Sequence, residues 1–268
     1  MLNRSERERR LTNRCSQRPQ CEKTLACLPR HPAVAYLFLF RPFAMPHVLT
    51  EIAGATDRRR TLIFVRGFQG VNELRRASAN LMFSSSARKH QRTWYRGLRE
   101  SGYYGRLLTF RWCSHWTDLL SPENRSATVD EAAEDLCDLV SRSPDFDPQN
   151  TSILGFSMGG WIIQRALRIA RWNDVQIRRA YLFGAAAPRA SRWPELLECV
   201  SDSLWNFHSA GDRVLAKYYP SCVGLYGLPA YYPNARDVDC TSLIGYHDEW
   251  PYNVAECLRR APLDSKHL

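Results

Sequence analysis

From about residue 60 the chain alternates short apolar runs with longer amphipathic stretches. Residues 61–65 read as a buried strand that leads into Arg66, Gly67, Phe68, Gln69 and Gly70. The spacing predicts a helix over about residues 86–101, with Trp94, Tyr95 and Leu98 on one face, and then a strand over 107–112. Ser126 and Thr128 are the expected caps of a helix running to Val140, whose Asp130, Glu131 and Glu134 suit the positive end of the helix dipole. Further strands are predicted over 151–156, 179–184 and 204–208, and a last helix over about 252–259. This alternation implies a mostly parallel central sheet with helices on both faces. The stretch 218–234, rich in Tyr, Pro and Gly, reads as an ordered loop that either roofs a pocket or packs as a connector.

The strand at 151–156 ends in Gly155-Phe-Ser157-Met-Gly159 and runs straight into a helical pattern carried by Trp161, Ile162, Ile163, Ala166, Leu167 and Ala170. The bare Gly-x-Ser-x-Gly pattern is weak, arising by chance in about one chain in ten of this length at average residue usage. The flanking strand and helix are what discriminate. Together they describe a nucleophile elbow, in which a serine on a tight, strained turn raises its hydroxyl above the sheet. Gly155 and Gly159 are the small residues that such a turn needs between strand and helix.

A serine hydroxyl needs a base, and the base needs an orienting carboxylate. Three histidines follow Ser157: His208, His247 and His267. His208 lies inside a strand pattern and His267 is next to last, whereas His247 sits on a loop before the final helix. Asp212 follows the strand ending at His208, after the small residues Ser209, Ala210 and Gly211. It also reads as a helix cap for the segment starting at Arg213. Asp239 and Asp248 are alternative acids. The expected constellation is Ser157 as nucleophile, Asp212 as acid and His247 as base. Oxyanion donors are expected at the backbone N–H groups of Met158 and Phe68. Arg66 stands where a nucleophile-elbow hydrolase often has a histidine before the glycine.

The 268 residues are 44% hydrophobic and 12% aromatic, enough for a sizeable core in one α/β domain over 45–268. The net charge of +10 is unevenly placed, with eight Lys/Arg against three Asp/Glu in residues 1–30. Residues 1–44 therefore read as a basic, disordered extension, with translation from Met45 as an alternative start. Residues 1–30 carry no aromatic interleaving, so no specific nucleic acid is expected, and contact with an anionic surface through them is the lesser reading. The apolar run 33–40 resembles an export signal but is followed by Arg41-Pro42 rather than a cleavage site. Nine scattered cysteines without a Cys-x-x-Cys pair point to thiols in a reducing compartment. A soluble, cytoplasmic protein without metal or cofactor is expected.

Several segments taken together resemble one family. Residues 62–67, 153–159 and 181–186, the Asn206, Ser209, Asp212, Leu215 run, and residues 237–242 with His247 are similar to the α/β-hydrolase domain of the transmembrane-and-coiled-coil-domain family. The resemblance covers about residues 60–257. It implies the α/β-hydrolase fold and the three roles for Ser157, Asp212 and His247, in a soluble member. The expected activity is that of a serine hydrolase, a carboxylester hydrolase or lipase-like enzyme, on a small-molecule or lipid-like acyl substrate. The alternative is a non-catalytic binding or scaffolding protein on the same fold.

Overall fold

Residues Leu62 and Phe64 of one strand are buried against one layer of core, and Ile63 and Val65 against another. Successive side chains of a strand point to opposite faces, so an unbroken apolar run demands cover on both. A computed structural model describes residues 48–52, 55–68, 85–112, 121–143, 146–172 and 176–260. The chain divides into two units, Met1–Ala44 and Met45–Leu268. The expectations placed on the basic arm, the run 33–40, the start at Met45 and His267 lie outside the described residues.

The described strands form one sheet in the order β1-β3-β2-β4-β5-β6-β7. They are β1 (Val48–Ile52), β2 (Asp57–Val65), β3 (Gly105–Arg111), β4 (Thr151–Phe156), β5 (Ile177–Phe183), β6 (Val200–His208) and β7 (Ala235–Asp239). β1 runs antiparallel to β3, and every other neighbouring pair is parallel. The reversal of strand order at β2, with the Ser157 turn leaving β4 next to it, is the α/β-hydrolase arrangement.

Among the described residues, two longer helices cover each face. On one, α1 (Ser85–Glu100) packs on the helix Trp250–Arg260 that closes the described chain, enclosing Trp94, Leu98, Phe156, Phe183 and Val254. On the other, α2 (Pro122–Arg142) packs on α3 (Met158–Trp172) through Val129, Ala133, Ile162 and Ala166. The shorter helices α4 (Trp193–Leu197), α5 (Arg213–Tyr218) and α6 (Val223–Tyr226) follow, and the Trp250–Arg260 helix is then α7.

Several elements depart from the sequence pattern, each for a physical reason. A strand, β1, precedes residue 60, because the short, half-polar run VLTEI becomes a strand only by pairing with β3. The cap of α2 is Ser121 rather than Ser126 or Thr128. Its hydroxyl accepts from the Asn124 N–H at 3.1 Å, and Pro122 supplies a preset first helical residue. Glu123, not Asp130, therefore lies in the first turn. β7 was not legible as a strand, since only Ala235 and Val238 of ARDVD are buried at this sheet edge. The 218–234 stretch packs as a connector: Val223 and Leu225 of α6 are buried, and the Gly224 N–H donates to the Ala185 carbonyl.

The α1–α7 contact depends on Gly97, where an added Cβ would meet Val254 Cγ1 at 2.0 Å. Gly97→Ala is expected to destabilise the fold by about 1–3 kcal/mol despite alanine's better helix propensity. The second substitution Val254→Ala, which removes the opposing methyl, is expected to recover part of that loss. Urea denaturation of the single and double variants measures both.

Candidate active site

Ser157 is the one described non-glycine residue with positive φ, at 56°. A serine in the left-handed region costs about 1–3 kcal/mol, so the surroundings must hold it there. They do so through the backbone. The Ser157 N–H donates to the Phe183 carbonyl at 3.0 Å, and the Ser157 carbonyl accepts from Gly160 and Ala186, each at 3.0 Å. Close packing needs the glycines on either side. A Cβ on Gly159 would lie 2.1 Å from the Val65 carbonyl oxygen, and one on Gly155 would lie 2.7 Å from the Gly159 oxygen. Gly67 closes the third side, since a Cβ there would come within 2.8 Å of Ser157 Cβ. The segment bearing Phe68 therefore abuts the serine directly, and Met158 opens α3 from the serine's other side.

Asp212 is fully buried at the end of β6. One carboxylate oxygen accepts from the Val214 and Leu215 N–H groups, each at 3.1 Å, capping α5. The other meets His247 Nδ1 at 2.7 Å and accepts from Trp250 Nε1 at 3.0 Å. The two readings of Asp212, helix cap and histidine partner, are thus both present in one side chain. Burial pushes its carboxyl up, but the hydrogen bonds from His247, Trp250 and Leu215 outweigh it and hold the group below the usual carboxylate value. An ionised carboxylate only accepts hydrogen bonds, so His247 Nδ1 carries a proton and Nε2 is the ring nitrogen left facing away from Asp212. The alternative acids are engaged elsewhere or unpaired with the ring: Asp239 accepts from Thr241, and the carboxylate bonded to His247 is that of Asp212, not Asp248.

The imidazole of His247 stacks on Phe156, with ring centroids 4.8 Å apart at 24°. That places it beside the residue preceding Ser157. No hydrogen bond joins the Ser157 hydroxyl to His247 among the described residues.

Beside this pair lies a cleft of about 330 Å³, counted out to its open mouth, lined by Arg66, Phe68, His90, Gln91, Trp94 and Phe156 among others. None of these comes from 218–234, so that segment does not roof the cleft. Two contributors escaped the sequence reading. His90 on α1 faces Phe156 with ring centroids 6.3 Å apart; its spacing of four from Trp94 is the signal that puts both on one helix face. Trp250 is 38 residues from Asp212 and carries no signal at all.

No protein-family model matches the chain, and no curated protein matches it either. Among solved structures it is similar to esterase PE8, at 12% identity over 81% of this chain and 99% of that one, with a TM-score of 0.46. A carboxylesterase from Mesorhizobium loti matches at 15% identity over 82% and 97%, with a TM-score of 0.45. Est1E from Butyrivibrio proteoclasticus matches at 13% identity over 80% and 93%, with a TM-score of 0.44. Among the described residues, no helix is long and apolar enough to cross a membrane, and no group of three or more His, Cys, Asp or Glu side chains could hold a metal ion.

Burial lowers the His90 pKa from its ordinary value, and the neighbouring His247 and Arg66 push the same way against Asp248. A histidine depressed in the folded state binds its proton more readily when unfolded. Its stabilising contribution is complete above the unfolded value of about 6.5 and is lost as pH falls through the window below it. His90→Gln is therefore expected to flatten the fall in melting temperature between about pH 7 and 5. Thermal melts of both proteins across that range check this.

Proposed function

We propose that the protein is a serine hydrolase that cleaves an ester or related acyl bond through an acyl-serine intermediate. The observation that carries this reading is the buried Asp212–His247 bond of 2.7 Å, with its imidazole stacked on the residue next to a serine held at φ 56°. Asp212 keeps the proton on Nδ1, which leaves Nε2 to act as base.

In the proposed reaction, Ser157 Oγ attacks the carbonyl carbon while Nε2 of His247 takes the hydroxyl proton. The negative charge on the former carbonyl oxygen is met by the backbone N–H groups of Met158 and Phe68. Collapse of the tetrahedral intermediate breaks the bond to the leaving alcohol, which receives the proton from Nε2. Water then attacks the acyl-serine, giving its proton to Nε2 and releasing the acid and free Ser157. Carboxylester hydrolysis is the form of this activity that we propose. The partly apolar walls of the cleft at Phe68, Trp94 and Phe156 suit a small-molecule acyl or aryl group. The likeness of residues 206–215 and 237–247 to the transmembrane-and-coiled-coil-domain family agrees with the same roles.

A second reading, a binding protein on a silent site, is favoured by the missing Ser157–His247 hydrogen bond. Catalytic bonds are often long without substrate and tighten when it arrives, so the first reading stands.

The two readings separate on one experiment. Wild-type protein is expected to be labelled by a fluorophosphonate probe, and Ser157→Ala to abolish labelling with an unchanged melting temperature. A wild type that is not labelled supports the binding reading. Asp212→Asn is expected to slow labelling by about four orders of magnitude by favouring the wrong imidazole tautomer, measured as the rate of probe incorporation.

A further inference from the structure

The loop that carries His247 is bracketed by two cysteines that meet behind it. Cys240 directly follows β7, and its N–H donates to the His208 carbonyl at 2.8 Å, which pins it to the end of β6. Its own carbonyl accepts from Leu243 and Ile244, starting the turn that leads to His247. Cys257 lies on α7 between Val254 and Leu258 and faces the same core. Both thiols are free and fully buried, and their sulfurs are 3.4 Å apart.

The other described cysteines are placed differently. Cys137 and Cys199 spend their thiols on the carbonyls of Ala166 and Leu167, each at 3.3 Å. Nothing in the proposed hydrolysis uses the Cys240–Cys257 contact. A disulfide has its sulfurs about 2.05 Å apart, so the pair must close by about 1.4 Å, a shift that side-chain rotation supplies when both thiols already point at each other.

We propose that Cys240 and Cys257 are a modification site, closed to a reversible disulfide by a hydroperoxide, which staples the His247 loop to α7. Only a small oxidant suits thiols buried this deeply, and brief opening of the exposed turn at Thr241 and Ser242 admits it. Cys240, which adjoins that exposed turn, is the first nucleophile. The Cys257 contact lowers its thiol pKa despite burial, Arg260 acting in the same direction, while that contact and burial push Cys257 up.

The Cys240 thiolate attacks one peroxide oxygen. An S–O bond forms, the O–O bond breaks, and the departing alkoxide takes up the proton that Cys240 released. Cys257 then attacks the sulfenic sulfur; the S–S bond forms, the S–O bond breaks, and hydroxide leaves with the Cys257 proton as water. Two thiols and one hydroperoxide thus give one disulfide, one alcohol and one water, the sulfurs losing the two electrons that the peroxide gains. For hydrogen peroxide the alcohol is a second water. The bond closes residues 240–257 into a ring that contains His247.

The test uses the full chain, treated with hydrogen peroxide, blocked with N-ethylmaleimide, and digested without reductant. Cleavage beside Asp248 or Glu249 separates the two cysteines, so mass spectrometry is expected to find their peptides linked, and freed by dithiothreitol. A rise in melting temperature of about 5–10 °C is expected on oxidation, from the lost freedom of the unfolded ring, and none in Cys257→Ser. The proposal is overturned if both cysteines remain maleimide-labelled, if Cys240 goes on to sulfinic acid with Cys257 free, or if either links to another cysteine instead. The mass readout needs no variant to fold, and it is independent of whether Ser157 reacts with any substrate.

Discussion

The buried carboxylate of Asp212 is the interaction on which the site depends. Taking a carboxylate out of water costs several kcal/mol unless its lone pairs are met. Here four donors meet them: two amides of α5, the Trp250 indole and the His247 ring. Those donors come from two stretches of chain, the start of α5 and residues 247–250. One charge thereby docks α5 against β6, anchors the start of α7 and orients the imidazole. The same requirement explains why the acid is so well shielded: any group that moved away would leave the charge exposed to an apolar core.

A second constraint acts across the sheet from it. β4 delivers Ser157 into a left-handed turn that is tolerable only because Gly67, Gly155 and Gly159 let backbone approach backbone. Strain at the serine is offset by the hydrogen bonds to Phe183, Gly160 and Ala186. Phe156 joins the two halves, since it is part of β4 and also the platform under His247. The aromatic cluster of Phe64, Trp94, Phe156 and Phe183 behind it makes that platform rigid, with neighbouring rings 5.1–5.5 Å apart around Trp94. Cleft, platform and imidazole are therefore built from one continuous layer of core.

The sequence was most informative where a chemical type and a local pattern coincide. Ser157 was legible because its glycines, strand and helix are all within fifteen residues. Asp212 was legible by its place after β6, and its alternative reading as a cap belongs to the same carboxylate rather than competing with it. The weak elements were those stabilised from outside. β1 and β7 lack a full apolar face and exist because β3 and β6 offer them hydrogen bonds. The start of α2 was misplaced because Ser126 resembles a cap in isolation, while Ser121 followed by proline wins in context. His90 lies upstream of Ser157, whereas the order serine, acid, histidine points only downstream of it.

By itself the amino-acid sequence determined the strand–helix alternation, the layered parallel sheet and the serine turn, because each rests on side-chain periodicity or on backbone freedom at nearby glycines. Tertiary structure alone decided what stands around that turn. Trp250 against Asp212, Phe156 beneath His247, and Cys240 against Cys257 are contacts between residues 17 to 91 positions apart. Local propensity holds no record of such distances. They follow only when the sheet order has placed the ends of β4, β6 and β7 side by side and the Asp212 charge has drawn the loops in around it.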